Sequence, residues 1–357
     1  MHITQLQVEN FRNLATQVVP LSAKINLITG ENGAGKTSLL EAIYFLGRQR
    51  SFRTSKPKEL IQQDKNYFRL IAKTLSPEHQ IGVERKLDGQ HLGFYCRIDR
   101  QTQKSPASLV KMLPTIAITA QSFQLINAGP GVRRAFIDYG SFHFDGDFFQ
   151  HWHAYQKALK NRNAALKQKM PQSVIASFTP LLAEYGEHIH RCRAAYFSAF
   201  KTLLGKHLGE LKFPYEMTIR YLPGWNTGDN LADSLGKHFD HDYRLGHTRF
   251  GPHRADMRFS VEGGDADNRL SRGQQKTLIL ALHLAQIDLI GAYGEALPLL
   301  IFDDIAAELD AKKRNQMLSY LAELNCQMFF STTEANFFAI DKGQQTALIH
   351  LRDGQIS

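Results

Sequence analysis

One stretch of the sequence has the residue types and spacing of a phosphate-binding loop. It fits the pattern G-x-x-x-x-G-K-[ST] and consists of Gly30, Glu31, Asn32, Gly33, Ala34, Gly35, Lys36 and Thr37, with Ser38 directly after it. Glycines let the backbone curl so that its N–H groups point at phosphate oxygens, at the start of a helix whose dipole favours anions. Lys36 is expected to bridge the β- and γ-phosphates, and Thr37 to place its hydroxyl on Mg²⁺. The pattern predicts that a nucleoside triphosphate binds here.

Two adjacent acids could supply the carboxylates that phosphoryl transfer needs near the metal. The apolar run Leu297–Phe302 is typical of a buried strand, and Asp303 and Asp304 follow it directly. Asp303 is predicted to be the metal ligand beside Thr37, and Asp304 to be the general base. Two acids at the end of a strand can also simply begin a turn, but the phosphate loop favours the functional interpretation.

A second anion site is predicted at Leu270-Ser271-Arg272-Gly273-Gln274-Gln275. The helical pattern KTLILALHLAQIDLI follows, so Ser271 stands at the start of a helix. Its hydroxyl and the neighbouring backbone amides can therefore bind an anion. One chain cannot easily bring this site to its own phosphate loop.

An α/β pattern surrounds these motifs and is interrupted by a helical block. Strands are predicted at residues 2–9 and 24–29, and a helix follows the phosphate loop up to Gly47. Short β-like runs occupy residues 67–120, helical spacing dominates 131–212, and strands return from 245. The sequence therefore predicts an α/β fold in three segments: the N-terminal half of a first lobe at 1–125, a helical second lobe at 126–244, and the C-terminal half of the first lobe at 245–357.

The overall composition indicates a soluble, cytoplasmic protein with no membrane partner. The chain has 357 residues, with 43 Lys and Arg against 34 Asp and Glu, which gives a formal net charge of +9. No apolar run reaches the roughly 18–20 residues that span a bilayer, and the N-terminus lacks the apolar stretch of a signal peptide. The three cysteines, widely spaced and odd in number, suit neither a disulfide framework nor a zinc site.

Two clusters of basic side chains indicate an anionic polymer as a partner. Residues 48–58 hold five basic residues and no acid, and residues 151–214 hold ten against three acids. Phosphate contacts give affinity without sequence information, so clustering alone suffices for non-specific nucleic-acid binding. The candidate contacts are Arg48, Arg50, Arg53, Lys56, Lys58, Lys157, Lys160 and Arg162. For each one the alternative is an ordinary solvated charge, and the aromatic residues at 148–155 fit either base stacking or, at helical spacing, a core.

Several of these motifs resemble those of the ABC ATPase superfamily. Leu270–Gln275 looks like its signature motif, with Arg272 where many members carry glycine, and residues 307–310 (Ala-Glu-Leu-Asp) are similar to its D-loop. Gln121, which follows the strand-like run TIAITA, is placed like the Q-loop glutamine, and the resemblance implies a role for it in catalysis and at the metal. Where transporter members carry a switch histidine, this chain has Ser331-Thr332-Thr333, so slow hydrolysis is expected.

Within that superfamily the chain resembles the RecF family of recombination-repair ATPases, and the resemblance covers nearly the whole chain. It rests additionally on Glu9-Asn10-Phe11-Arg12-Asn13, Arg50-Ser51-Phe52-Arg53, Gly129-Pro130, Arg133–Asp138 and Gly251–Asp256. It implies the fold of an ABC-type, SMC-like ATPase head with an inserted, mostly helical lobe and no long coiled coil. It also implies that Arg12 and Asn13 lie near the nucleotide, while Arg254 either reaches phosphate or DNA or forms a structural salt bridge.

The resemblance further implies a mode of action. ATP and Mg²⁺ would join two copies of the chain, with Ser271, Gly273 and Gln274 of one copy closing over the ATP of the other. The homodimer would bind double-stranded DNA or gap junctions, hydrolyse ATP slowly under DNA stimulation, and help recombinase loading with RecO- and RecR-type mediator proteins, in repair, replication restart and the SOS response. The alternative is a nucleotide-gated protein scaffold without direct DNA binding. A transport ATPase is disfavoured by the 235 positions that separate Lys36 from Ser271.

Overall fold

The structure, a computed structural model, describes residues 1–304, 320–321, 323–333 and 346–357. The chain divides into two compact units, of which the first comprises Met1–Ser122 with Gly294–Ser357 and the second comprises Phe123–Tyr293. The second unit thus ends at Tyr293 and not at residue 244, where the sequence analysis placed its boundary.

The described elements of the first unit are mostly strands, and those of the second unit are mostly helices. Up to residue 122 they are β1 (His2–Glu9), β2 (Gln17–Pro20), β3 (Ile25–Thr29), α1 (Lys36–Arg48), β4 (Tyr67–Leu75), β5 (His79–Asp88), β6 (His91–Ile98), β7 (Gln101–Thr102), α2 (Ala107–Met112) and β8 (Thr115–Ile118). The second unit holds α3 (Gln124–Asn127), α4 (Pro130–Phe144), α5 (Phe148–Lys167), α6 (Gln172–Ala176), α7 (Thr179–Glu210), β9 (Met217–Leu222), α8 (Leu231–Lys237), α9 (Phe239–Leu245), β10 (Asp256–Val261), β11 (Gly264–Asp265), α10 (Ala266–Arg269) and α11 (Arg272–Tyr293). The first unit then continues with β12 (Leu299–Asp303), β13 (Met328–Thr332), β14 (Thr346–Arg352) and β15 (Gln355–Ile356).

A mainly parallel sheet in the first unit positions the phosphate loop and the two acids. Its order is β15-β14-β3-β13-β12-β8, and every pair except β14 with β15 is parallel. The apolar residues of β12 and β13 are all buried, as continuous apolar runs require of strands covered on both faces. Because the strands are parallel, the carboxyl ends of β3 and β12 lie at one edge of the sheet. The residues after β3 and those after β12 therefore meet.

Helix α1 packs against this sheet and shares a single hydrophobic core with the second sheet of the unit. That second sheet is antiparallel, in the order β2-β1-β4-β5-β6-β7. Buried and exposed residues alternate along β4, the pattern of a strand with one covered face. Near the end of α1, a Cβ at Gly47 would lie 1.9 Å from the hydroxyl of Thr115, so only glycine fits there.

The second unit is a helical assembly with a small sheet of its own. Helix α7, with 32 residues, packs against α4, α5, α8 and α11. Strand β10 pairs in antiparallel fashion with β9 and with β11. These two sets of contacts are the reason that residues 245–293 belong to this unit. In the described part of the chain α7 is the longest helix, which agrees with the expected absence of a long coiled coil, and none of the described helices is long and apolar enough to cross a membrane.

Candidate nucleotide-binding site

The phosphate loop has the backbone conformation that its glycines predict. Gly30, Gly33 and Gly35 adopt φ values of +146°, +85° and +103°, which side chains with a Cβ rarely adopt. At Gly30 an added Cβ would lie 2.3 Å from the carbonyl oxygen of Leu351. The buried Lys36 donates from Nζ to the carbonyl oxygens of Gly30 and Glu31 at 2.8 and 2.9 Å, so its ammonium group is held against the loop.

The loop and the end of β12 meet through two side chains. The Thr37 hydroxyl donates to Oδ1 of Asp303 at 3.1 Å, and the Ser331 hydroxyl donates to the same oxygen at 2.7 Å. The backbone N–H of Asp304 donates in turn to the Ser331 hydroxyl at 3.1 Å. The parallel pairing of β12 with β13 places Ser331 beside Asp303. The predicted proximity of Thr37 and Asp303 is therefore present in the described residues.

The oxygen atoms of this contact fit a Mg²⁺ ion, which prefers hydroxyl, carboxylate and phosphate oxygens. Burial, aided by the charge of Asp304, raises the pKa of Asp303, while hydrogen bonds from Ser331 and Thr37 oppose the shift. A cation beside this carboxylate would favour its ionised form. Thr37 and Asp303 are thus the residues that would hold the metal.

A cavity of about 660 Å³ opens beside the loop. Its lining includes residues that the sequence analysis singled out, namely Arg12, Asn13, Asn32, Gly33, Gly35, Lys36, Thr37, Ser38, Arg53 and Asp304. Asn13 joins two parts of this wall, since its amide donates to the carbonyl of Gly33 at 3.1 Å and accepts from the Ser38 hydroxyl at 2.7 Å. The exposed Glu31 contributes its backbone carbonyl to the binding of Lys36.

A buried carboxylate that the sequence analysis did not single out organises the basic wall of the cavity. Glu41, on α1, is fully buried and accepts two hydrogen bonds of 2.9 Å from the guanidinium of Arg12. It also accepts from the Ser51 hydroxyl and forms an ion pair with Arg53 at 3.5 Å. The signal for it was present in the sequence, because Glu41 is the one charged residue inside the apolar helical pattern LLEAIYF.

Gln121 lies beyond the end of β8, the strand that pairs with β12. Its side chain is exposed and accepts a hydrogen bond of 2.8 Å from the Thr119 hydroxyl. Gln121 is not among the residues that line the cavity. A role for it in catalysis or at the metal stays a prediction.

The signature segment forms the N-terminus of α11 in the second unit. The backbone N–H of Ser271 donates to the Gln274 side chain at 2.8 Å, and the N–H of Gln274 donates to the Ser271 hydroxyl at 3.4 Å, which is a reciprocal helix cap. Gly273 faces open space. Ser271, Gly273 and the partly exposed Gln274 therefore present a helix terminus at the surface of this unit. The D-loop residues 307–310 lie outside the described residues.

The candidate DNA contacts fall into three groups. Arg50, Lys58, Lys157 and Lys160 are exposed, and Lys56 is exposed beside Glu59 at 3.7 Å. Arg48 lies over the ring of Tyr44, and Arg53 belongs to the cavity wall. Arg162 is an incorrect prediction: its side chain is fully buried and forms an ion pair with Asp242 at 2.8 Å, so it cannot reach DNA.

Burial and exposure bear on two further alternatives from the sequence. Phe148 and Tyr155 are core residues of the second unit, 3% and 1% exposed, and so do not offer free faces for base stacking. Arg254 is exposed and forms no ion pair among the described residues, which disfavours the structural salt bridge.

The chain matches known proteins along almost its whole length. Residues 2–356 match the family described as RecF/RecN/SMC N terminal domain. The DNA replication and repair protein RecF of Marinomonas sp. (strain MWYL1) is 38% identical over 339 residues, which cover 94% of this chain and 91% of that protein. A solved structure of the recombination mediator protein RecF-ATP in the RecFOR pathway superposes with a TM-score of 0.90 at 28% identity, over 100% of this chain and 97% of the other.

A more distant structure shares the fold alone. The Smc head domain of Pyrococcus furiosus has a TM-score of 0.57 at 16% identity, over 99% of this chain and 95% of the other. Together with the loop, the two acids and the helical insertion, these matches confirm the α/β fold of an ABC-type ATPase head. The chain belongs to the RecF family.

Proposed function

We propose that this chain is a slow ATPase of DNA repair, in which ATP joins two copies of the chain on DNA. The observation that carries the proposal is the 3.1 Å contact between Thr37 and Asp303, since it unites a phosphate-binding loop with a metal-binding carboxylate. The relatives support ATP binding and a role in DNA repair: one solved RecF structure contains ATP, and the Marinomonas relative is named for DNA replication and repair.

ATP is proposed to place its phosphates on the loop at residues 30–37. Lys36 would replace its hydrogen bonds to the carbonyl oxygens of Gly30 and Glu31 with hydrogen bonds to β- and γ-phosphate oxygens. Arg12 and Arg53 would add positive charge on the cavity wall. The pairing of both arginines with the buried Glu41 fixes their position, which lowers the entropic cost of binding. Mg²⁺, held by Thr37 and Asp303, would neutralise charge on the phosphates.

Asp304 is proposed as the general base for hydrolysis. It is exposed to the cavity, while its backbone is fixed by the bond from its N–H to Ser331. From there its carboxylate can accept the proton of an attacking water. Thr332 and Thr333 follow Ser331 in place of a histidine, and a hydroxyl can bind the γ-phosphate without carrying a proton. Hydrolysis is therefore expected to be slow and to act as a timer for the ATP-bound state.

Dimer formation is proposed to depend on the start of α11. The Ser271 hydroxyl lies at a helix N-terminus, beside the exposed Gly273 and the partly exposed Gln274, and the positive end of the helix dipole attracts the charge of a γ-phosphate. In the proposed dimer this terminus closes over the nucleotide of the other copy. ATP would then stabilise the dimer, and hydrolysis would release it.

DNA is proposed to bind through the exposed basic residues Arg50, Lys56, Lys58, Lys157 and Lys160, with Arg48 beside them in the first cluster. These basic side chains would contact the phosphate backbone of duplex DNA or of a gap junction, because phosphate contacts do not require a particular base. RecO- and RecR-type mediator proteins are the proposed protein partners, since the related RecF structure is assigned to the RecFOR pathway. We place this activity in the cytoplasm and link it to recombinase loading, replication restart and the SOS response.

The experiment that tests the proposal measures the mass of the full chain by light scattering, with and without ATP and with and without gapped duplex DNA. Ser271→Arg is the control, because it is expected to bind ATP without forming the dimer. The proposal expects a doubled mass only when the wild-type chain has ATP, and a larger complex when DNA is added. A mass that does not respond to ATP would overturn it.

A further inference from the structure

Three side chains with metal-binding atoms meet in the helical unit, in a place that the nucleotide chemistry does not use. They are Asp145, His188 and Cys192, and their candidate ligand atoms lie within 4.8 Å of one another. We refer to them as the Asp-His-Cys cluster. All three belong to the second unit, so the cluster is complete within one compact body.

The fold brings these residues together from two elements. His188 and Cys192 are four residues apart on α7, so they lie on the same face, one turn from each other. Asp145 directly follows the end of α4, a helix that packs against α7. Oδ1 of Asp145 accepts a hydrogen bond of 2.9 Å from the backbone N–H of Asp147. The cluster therefore connects the end of α4 with the middle of α7.

The polar atoms around this cluster are incompletely paired. Among the described residues, Nε2 of His188 and Nδ1 of His151 are buried and have no hydrogen-bond partner. The two rings stack with their centroids 3.5 Å apart. Leaving buried ring nitrogens unpaired costs stability, and such groups call for an explanation such as an ion or a water. A metal ion bound by His188 would supply a partner at this point.

Metal binding at this cluster would require a neutral imidazole at His188 and a thiolate at Cys192. Burial lowers the pKa of His188, and the neutral imidazole is the form that binds a metal. Burial and a hydrogen bond with Asp145 raise the pKa of Cys192 to about 12, so its thiol is protonated. Metal binding would form the sulfur–metal bond and release this proton to solvent.

We propose that the Asp-His-Cys cluster is a binding site for a divalent transition metal ion, with Zn²⁺ as the best match. Carboxylate, imidazole and thiolate are the three ligand types that Zn²⁺ takes in proteins, at bond lengths that put ligand atoms about 3.3–3.8 Å apart. Rotation of the partly exposed Asp145 and His188 toward the 5%-exposed Cys192 closes the remaining distance. A water or His151 completes the fourth position, and the ion joins α4 to α7. The spacing of the cysteines along the sequence gave no sign of this site.

The test loads the full-length chain with Co²⁺ and records its absorption. Cobalt bound to a thiolate gives a sulfur-to-metal charge-transfer band, whereas the nucleotide site offers only oxygen ligands from Thr37 and Asp303 and gives none. The proposal expects one equivalent of Co²⁺ with this band, loss of the band on adding Zn²⁺, and its loss in Cys192→Ser. Cys96→Ser, a buried cysteine of the first unit, is the matched control and should keep the band.

His188→Gln is the second variant, because it leaves all cysteines in place. It should weaken Co²⁺ binding at least tenfold, while circular dichroism shows the helix content unchanged. Absence of the charge-transfer band in the wild-type chain, or an equal band in Cys192→Ser, would overturn the proposal. The outcome is independent of the ATPase function, since it requires neither ATP nor DNA.

Discussion

The hydroxyl of Thr37 lies 3.1 Å from Oδ1 of Asp303, although 266 positions separate the two residues along the chain. The contact exists because β3 and β12 run parallel in one sheet, so the loop after the first and the acids after the second share an edge. The pair offers a hydroxyl and a carboxylate to a metal that would also touch the phosphates of ATP. This relationship is the basis of the functional proposal.

Asp303→Asn should weaken Mg²⁺-dependent ATP binding by at least about tenfold, since the loss of a residue that only supports a metal ligand already costs about 10–100-fold in metal affinity. The amide keeps the shape of the side chain and can still accept from Thr37, but it lacks the charge. A fluorescent ATP analogue titrated at several Mg²⁺ concentrations measures the effect. Asp88→Asn, an exposed position on β5, is the control and should behave as wild type.

Ser271→Arg should prevent ATP-driven dimerisation while leaving ATP binding by the monomer intact. The large cation replaces the hydroxyl that caps α11 and fills the surface on which the other copy would close. Light scattering with and without ATP measures the mass, and nucleotide titration measures monomer binding. Ser173→Arg, exposed on α6 of the same unit, introduces the same charge elsewhere and should dimerise normally. Equal dimerisation of both variants would contradict the role of Ser271.

Replacing both Lys157 and Lys160 by alanine should weaken DNA binding for all sequences alike. Each phosphate contact contributes about −0.9 to the slope of log affinity against log salt, so the double variant should flatten that slope by about two. Binding measured from low to moderate salt gives the slope. Lys73→Ala, an exposed lysine on β4 outside both basic clusters, serves for comparison. A wild-type chain whose binding is weak at every salt concentration would favour the scaffold alternative.

Arg162→Ala should destabilise the helical unit by about 3–5 kcal/mol, because it leaves the buried Asp242 without its ion-pair partner. Urea unfolding followed by tryptophan fluorescence reports on this unit specifically, since Trp152 and Trp225, the two tryptophans of the chain, both belong to it. Lys160→Ala, exposed on the same helix, should change the midpoint little. A stable Arg162→Ala protein with weakened DNA binding would restore the original interpretation of this residue.

Local motifs made most of the nucleotide site predictable from the sequence. The phosphate loop is contiguous in the sequence. The apolar runs before the loop and before Asp303 are typical of buried strands. Arg162 was not predictable in this way, because its role depends on Asp242, 80 positions away. Its neighbours Lys157 and Lys160 carry the same charge on the same helix, yet they face solvent.

The boundary of the second unit and the Asp-His-Cys cluster depend on tertiary contacts for the same reason. Strand β10 looks like a strand from sequence, but only its pairing with β9 assigns it to the helical unit. His188 and Cys192 have a spacing that is visible on a helix, whereas Asp145 joins them through the packing of α4 on α7. Sequence periodicity predicts helices and strands, but it does not indicate which of them pack or pair with one another.

The central claim is most directly tested by steady-state ATP hydrolysis of the full chain, with Mg²⁺ and gapped DNA present, in wild type and Lys36→Arg. Lys36 is buried against the loop, and an arginine there keeps the charge but cannot place it between the phosphates in the same way. Lys73→Arg, exposed on β4, is the matched control. We predict slow turnover in wild type and control, and retained nucleotide binding with no turnover in Lys36→Arg. Full turnover in Lys36→Arg would contradict the account.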